Sequence, residues 1–133
     1  MTNLVLASAS PRRSELLRGL GLTFTVAPAD VDEAVYAGET APQLVARLSA
    51  AKATAVAASY PDALVIAADT TVVVDGEVLN KPADADENRA FIARLEGREH
   101  EVYTGHALRL GGRGETVVVR TGVRFRSLTP PEI

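Results

Sequence analysis

No cysteine occurs anywhere in the chain. That excludes a disulfide framework, a thiolate metal site and a cysteine nucleophile. No apolar run is long enough for a membrane span, and the N-terminus lacks the charged-then-apolar pattern of a secretory signal. A basic excess is missing too. The net charge is −3, which argues against a general nucleic-acid binder and requires any phosphate site to be local. Repeats, low-complexity tracts and linkers are also absent. What remains is the composition of an ordinary globular domain, 47% hydrophobic and 23% charged over 133 residues. By length this is one domain, large enough to bury a core, and a cytoplasmic location is the expectation.

The stretch richest in chemistry comes first. Leu4, Val5 and Leu6 form a short apolar run of the kind a buried strand uses. Ser10 is a good N-cap and Pro11 suits the first helical position, so a helix carrying Leu16, Leu17 and Leu20 on one face should start there. A helix N-terminus leaving a strand offers free N–H groups and partial positive charge to an anion. Arg12 and Arg13 sit in that first turn, where the dipole disfavours cations. An anion between them would explain the placement; a solvated basic helix start is the plainer alternative.

Downstream, Gly19 and Gly21 should end the helix, and Leu22–Val26 alternates like a strand. The loop from Pro28 to Glu39 carries Asp30, Asp32, Glu33 and Glu39, either merely solvated or offering oxygens to a hard cation. Thr40 should cap a long helix with Leu44, Leu48, Ala51 and Ala55 on its core face. Lys52 falls on or beside that stripe, snorkelling from the core edge or reaching an anion in a cleft. Ala63–Ala68 reads as a buried strand ending in Asp69-Thr70-Thr71, and strand ends are where α/β proteins bind ligands.

Asp75-Gly76 marks a tight hairpin within Thr71–Leu79. Pro82 holds the preceding Lys81 extended, and Asp84 caps a helix with Phe91, Ile92 and Leu95. Glu99–Leu110 and Thr116–Phe125 should be strands joined across Gly111–Gly114, the second with Arg120, Arg124 and Arg126 on a solvent-facing stripe. His100 and His106 are too far apart to suggest a metal pair. Thr129 and Glu132 form a capping box for a helix that has no body.

Taken together, Ser8-Ala-Ser-Pro-Arg-Arg13, Asp32-Glu33, Leu48-x-x-x-Lys52-Ala53, Ala67-Ala-Asp-Thr70, Asp75-Gly76 and Lys81-Pro82 resemble the Maf family of nucleoside triphosphate pyrophosphatases. The resemblance implies an α/β fold, a central mixed β-sheet flanked by helices, related to inosine triphosphate pyrophosphatases. It implies hydrolysis of a nucleoside triphosphate to monophosphate and pyrophosphate with a divalent cation, Mg²⁺ or Mn²⁺. Asp69 matches the family's catalytic acid. Ser8, Arg12, Arg13, Lys52, Thr70 and Lys81 match substrate-binding positions, and Glu33 with Asp69 the metal ligands. Asp69-Thr70 resembles the branch acting on dTTP and UTP. The expected partner is the nucleotide, with no nucleic acid and no membrane. The likeness leads us to expect that residues 1–133 are a single Maf-like domain lacking the family's C-terminal portion, with a homodimer among the outcomes. The alternative function is a non-catalytic nucleotide-binding regulator of cell division and septum formation.

Overall fold

The chain runs β1 (Asn3–Leu6), α1 (Pro11–Gly19), β2 (Thr25–Val26), α2 (Ala41–Ala57), β3 (Ala63–Val74), β4 (Glu77–Leu79), α3 (Ala85–Leu95), β5 (Glu99–Leu110) and β6 (Arg113–Arg124), with a final 3₁₀ turn at Pro130–Glu132. This computed structural model describes residues 3–79 and 84–132. The strands form one mixed sheet in the order β2-β1-β3-β5-β6, with β4 paired to β3. β1 is parallel to both β2 and β3, whereas β3–β5, β5–β6 and β3–β4 are antiparallel.

That order fixes where a site can form. The chain leaves β1, crosses by α1 to β2 on one side, then returns by α2 to β3 on the other. The two crossovers share one hand but run in opposite directions across the sheet, so the helices fall on opposite faces and a crevice opens where β1 ends. Packing agrees. Odd-numbered Val5, Val65 and Ala67 form a buried cluster with Ala53 and Val56 of α2, while even-numbered Leu6, Ile66 and Ala68 line a cavity with Leu16 and Leu17 of α1. Val5 and Val65 are at most 1% exposed, each worth ~1.5–3 kcal/mol of burial.

Local signals explain most element ends. Ser10 Oγ accepts from Arg13 N at 3.4 Å, and Pro11 occupies the first turn of α1. Thr40 and Gln43 close a full capping box on α2, and Asp84 caps α3 through Glu87 N at 2.8 Å. Asp75 and Gly76 both take positive φ, 53° and 75°, as a two-residue hairpin turn with strand-like twist requires.

Five expectations need correction. The strand foreseen over Ala63–Ala68 does not end at Asp69 but runs on to Val74, because β5 and β4 go on pairing with it, so Asp69 lies mid-strand. The strand foreseen over Leu22–Val26 contains only Thr25 and Val26. Gly21 N donates to Arg18 O and Leu22 N to Leu17 O, a Schellman closure that commits Leu22 to ending α1. On α1, Leu16 and Leu20 are exposed and Ser14 is the buried residue. On α2 the core face turns through Val45, Ser49, Ala53 and Val56 instead of Ala51 and Ala55. The cause is Gly105 of β5, where an added Cβ would lie 2.3 Å from Val45 O and 2.8 Å from Ser49 Oγ. The helix rolls its smallest patch onto that glycine. Finally, β6 begins at Arg113, because Gly111 and Gly112 suffice to turn the chain, with Gly111 at φ 60°.

Other features match the reading. Arg120 and Arg124 are exposed on β6, and Arg120 pairs with Glu101 at 2.9 Å. That pair, with a hydrogen bond from Tyr103, holds the Glu101 carboxyl down to about 2. His100 is buried edge-on against Phe125, with ring centroids 4.9 Å apart, while His106, six residues further along β5, is exposed. Glu132 Oε1 accepts from Thr129 N, but only a 3₁₀ turn follows.

Candidate active site

The crevice at the end of β1 collects most of the charged residues singled out from the sequence. Ala7 N donates to Ile66 O at 2.8 Å, so β1 stops while β3 runs on through Ala68, Asp69 and Thr70. The Ser8–Ser10 turn then lies beside the extended middle of β3. Arg13 ties the two together. Its Nη1 donates to Ser8 Oγ at 3.3 Å and to Ala68 O at 3.2 Å, and its Nη2 donates to Thr70 Oγ1 at 3.1 Å. All three acceptors are neutral oxygens, so these bonds orient the guanidinium without cancelling its charge.

On the opposite face, Asp69 points toward α2. Lys52 Nζ donates to Asp69 Oδ1 at 3.0 Å and forms an ion pair with Glu33 Oε1, also at 3.0 Å. The Lys52 and Asp69 side chains are 13% and 9% exposed, so this is a cleft contact, and Lys52 is not snorkelling into solvent. Alternation explains the placement of Asp69: it shares the odd-numbered face with Val65 and Ala67. Its cross-strand partner is Gly105, whose missing side chain lets α2 approach closely enough for Lys52 to reach.

Three cavities meet at this cluster. One of about 410 Å³ is lined by the Ser8–Ser10 turn, Arg13, Asp30, Glu33 and Lys52. A second, of about 520 Å³, runs from Glu33, Asp69 and Thr70 between α2 and α3 over Leu44, Leu48, Leu79 and Phe91. The third, about 650 Å³, lies on the α1 face and is bounded by Arg12, Arg13, Thr70, Thr104 and His106. Arg13 borders the first and third, Glu33 the first and second, and Thr70 the second and third.

Ser8, Arg13, Glu33, Lys52, Asp69 and Thr70 thus come together. Arg12 does not join the lysine–carboxylate cluster; it is exposed on the wall of the α1-face cavity. Lys81 lies outside the described residues. Two contributors escaped the sequence reading. Thr104 shares a hydrogen bond with Thr70 at 3.0 Å. Arg47 braces the acidic loop, with Nε donating to Glu39 Oε2 at 2.7 Å. Neither carries a local signal, since each acts on a residue brought near by the fold or by a loop.

Among the described residues no group of three or more His, Asp or Glu is placed to hold a metal by itself. The donors that do converge are the Glu33 and Asp69 carboxylates, which reach a common cation, the Lys52 ammonium. Two carboxylates suit Mg²⁺, which keeps waters and takes substrate phosphate oxygens as further ligands. The donor set therefore fits a hard divalent cation that takes its remaining ligands from water or a bound anion.

Known proteins align with this arrangement. A dTTP/UTP pyrophosphatase of Myxococcus xanthus is 55% identical over 132 residues, 99% of this chain and 67% of that protein. One from Syntrophus aciditrophicus is 51% identical, over 98% of this chain and 64% of its own length. The chain therefore spans about two thirds of these relatives. Among solved structures, the Ham1 protein of Staphylococcus aureus superposes with TM-score 0.59 at 20% identity, covering 92% of this chain and 70% of that one. A HAM1 protein from Coxiella burnetii gives 0.55 at 17% identity, over 92% and 72%. At such identity these two speak for the fold alone: a mixed sheet with helices on both faces. Residues 3–133 match the family described as Maf-like protein, and with the turn, lysine and mid-strand aspartate in one crevice, the chain belongs to the Maf family.

Proposed function

We propose that this chain is the nucleotide-binding and catalytic part of a nucleoside triphosphate pyrophosphatase that acts on dTTP and UTP. The observation that carries the reading is the Glu33–Lys52–Asp69 cluster at the end of a cavity lined by the Ser8–Ser10 turn and by Arg13. A triphosphate concentrates several negative charges in a small volume. Arg13, Lys52 and the N-terminus of α1 supply positive potential around one such volume, and Lys81 is proposed as a further cation. The names of the relatives support the same reaction and do not favour the regulator of cell division.

In this reading the phosphates lie in the cavity of Ser8, Arg13 and Lys52. Ser8 accepts from Ser10 N and Arg13, which fixes the turn that faces them. Lys52 binds one Asp69 oxygen and turns the carboxylate; its other oxygen can accept a proton from the attacking water. Glu33 and Asp69 would hold the divalent ion, which supplies Lewis-acid polarisation of a phosphate oxygen and a more acidic water. Arg13 and Lys52 stabilise the departing pyrophosphate, whose charge grows as the bond breaks. No serine or cysteine nucleophile is needed.

The base is assigned to the cavity on the α1 face, supported by the presence of both Arg12 and Thr70 on its wall. A guanidinium and the one threonine hydroxyl whose proton is not used in the Thr70–Thr104 bond can donate to the carbonyl oxygens of thymine and uracil. Among the described residues no helix is long and apolar enough to cross a membrane; a cytoplasmic setting, where nucleotides are found, is part of the proposal.

Substrate comparison tests this reading. With Mg²⁺ present, kcat/KM for dTTP and UTP should exceed that for ATP and GTP by at least about tenfold, since one or two well-placed hydrogen bonds are worth that much. A preference for a purine triphosphate would overturn the base assignment.

A further inference from the structure

The segment from Ala27 to Glu39 delivers Glu33 to Lys52, yet outside one turn near Gly38 it has no regular secondary structure. Beyond Ala27 and Ala29, which pack against the core, little apolar burial holds it: Val35 is 44% exposed and Tyr36 56%. A loop of that kind should open readily unless something anchors it. Arg47 of α2 is the anchor. Its Nε and Nη2 grip both oxygens of Glu39 at 2.7 and 2.9 Å, and Nη2 also donates to Ala34 O at 2.7 Å. The guanidinium further stacks on the Tyr36 ring, 3.8 Å from its centroid. Tyr36 N closes the loop by donating to Glu39 Oε1 at 3.1 Å, and Ala34 N donates to Asp32 Oδ1 at 3.0 Å.

We propose that Arg47 is a positioning residue that sets the Glu33 carboxylate against Lys52 and Asp69. The inference rests on the proposed role of Glu33 and deepens it. Ala34, whose carbonyl Arg47 holds, is the next residue after Glu33. Arg47 and Lys52 lie five residues apart on one rigid helix, a rise of about 7.5 Å. The same helix therefore fixes both ends of the Glu33 contact: the backbone through Arg47 and the carboxylate through Lys52. The fork holds the Glu39 carboxyl below the usual carboxylate range, with the Arg47 hydrogen bond the largest cause. A lysine at position 47 could supply the charge but neither the bidentate grip nor the stacking.

The test follows the side-chain resonance of Lys52 by NMR in wild type, Arg47→Ala, Arg47→Lys, Glu33→Gln and the Arg47→Ala/Glu33→Gln double variant. The Arg47 guanidinium binds Glu39, Ala34 and Tyr36, so a merely structural role would leave the Lys52 resonance unmoved. The expected result is that Arg47→Ala shifts Lys52 toward its position in Glu33→Gln, that Arg47→Lys lies between, and that the double variant coincides with Glu33→Gln. With dTTP, Arg47→Ala should lose roughly 10- to 100-fold in kcat/KM, as a misplaced group does, and lose almost nothing further in the Glu33→Gln background. A Lys52 resonance unmoved by Arg47→Ala, or equal fold-losses in both backgrounds, would overturn the proposal. If wild type turns over no nucleotide, the proposed function fails while the resonance alone decides the role of Arg47. If Arg47→Ala does not fold, Glu39→Gln, which weakens the same fork, is read by the same criteria.

Discussion

Replacing Asp69 by asparagine should lower kcat by roughly 100- to 10,000-fold while the fold stays intact. Asparagine has the same shape, and its amide oxygen can still accept from Lys52 Nζ across the 3.0 Å contact. What it lacks is charge, and with charge go proton acceptance from water and most of the affinity for a hard cation. Lys52 keeps Glu33 as a counter-ion, so the variant does not strand a buried cation, the costly outcome when a paired charge is deleted outright. The loss should fall on kcat more than on KM, because the proposed site assigns nucleotide affinity mainly to Arg13, Lys52 and the start of α1. Steady-state kinetics beside a thermal melt make the check. Near-normal kcat in Asp69→Asn would remove this residue from the chemistry.

Alanine at Gly105 should do broader damage with one methyl group. The new Cβ would stand 2.3 Å from Val45 O and 2.6 Å from Val45 C, inside backbone that cannot rotate away. Relief requires α2 to lift from β5, and α2 carries the buried Val45, Leu48, Ser49, Ala53 and Val56. Overpacking of this kind costs about 3 kcal/mol, enough to lower Tm by roughly 10 °C in a domain this size. Gly105 pairs directly with Asp69, and α2 also carries Lys52, so a lifted helix separates the ammonium from the carboxylate. Turnover should therefore fall together with stability. Gly114 gives the control, since its added Cβ finds nothing nearer than 3.5 Å. Equal stability in Gly105→Ala and Gly114→Ala would show that the α2–β5 approach is looser than described.

The parts of this fold legible in the sequence are those written in short-range chemistry. Ser10-Pro11, Thr40 with Gln43, Asp75-Gly76 and Asp84 each act within four residues, and each formed the cap or turn it signals. Asp69 stands out in the sequence as an acid closing a buried apolar run; the run is real, but the strand continues to Val74 through residues whose pairing partners lie far off in sequence. Long-range geometry was not legible. Nothing near Gly105 in sequence says that α2 will press on it, so the roll of that helix away from Ala51 and Ala55 could not be read. Arg12 and Arg13 are adjacent and look alike, but successive side chains on a helix diverge by about 100°. One braces β3 beside the lysine–carboxylate cluster, and the other lines the α1-face cavity. Arg47 carries no signal in the sequence, because its partners lie in a loop with no periodicity to read.

The most direct measurement of the central idea is the identity of the products formed from dTTP and Mg²⁺, resolved by anion-exchange chromatography for wild type and Asp69→Asn side by side. A crevice that binds the triphosphate and directs water between the first and second phosphorus atoms should yield dTMP and pyrophosphate in equal amounts, with Asp69→Asn yielding almost none. Formation of dTDP and orthophosphate, or no dTMP from folded wild-type protein, would contradict the account.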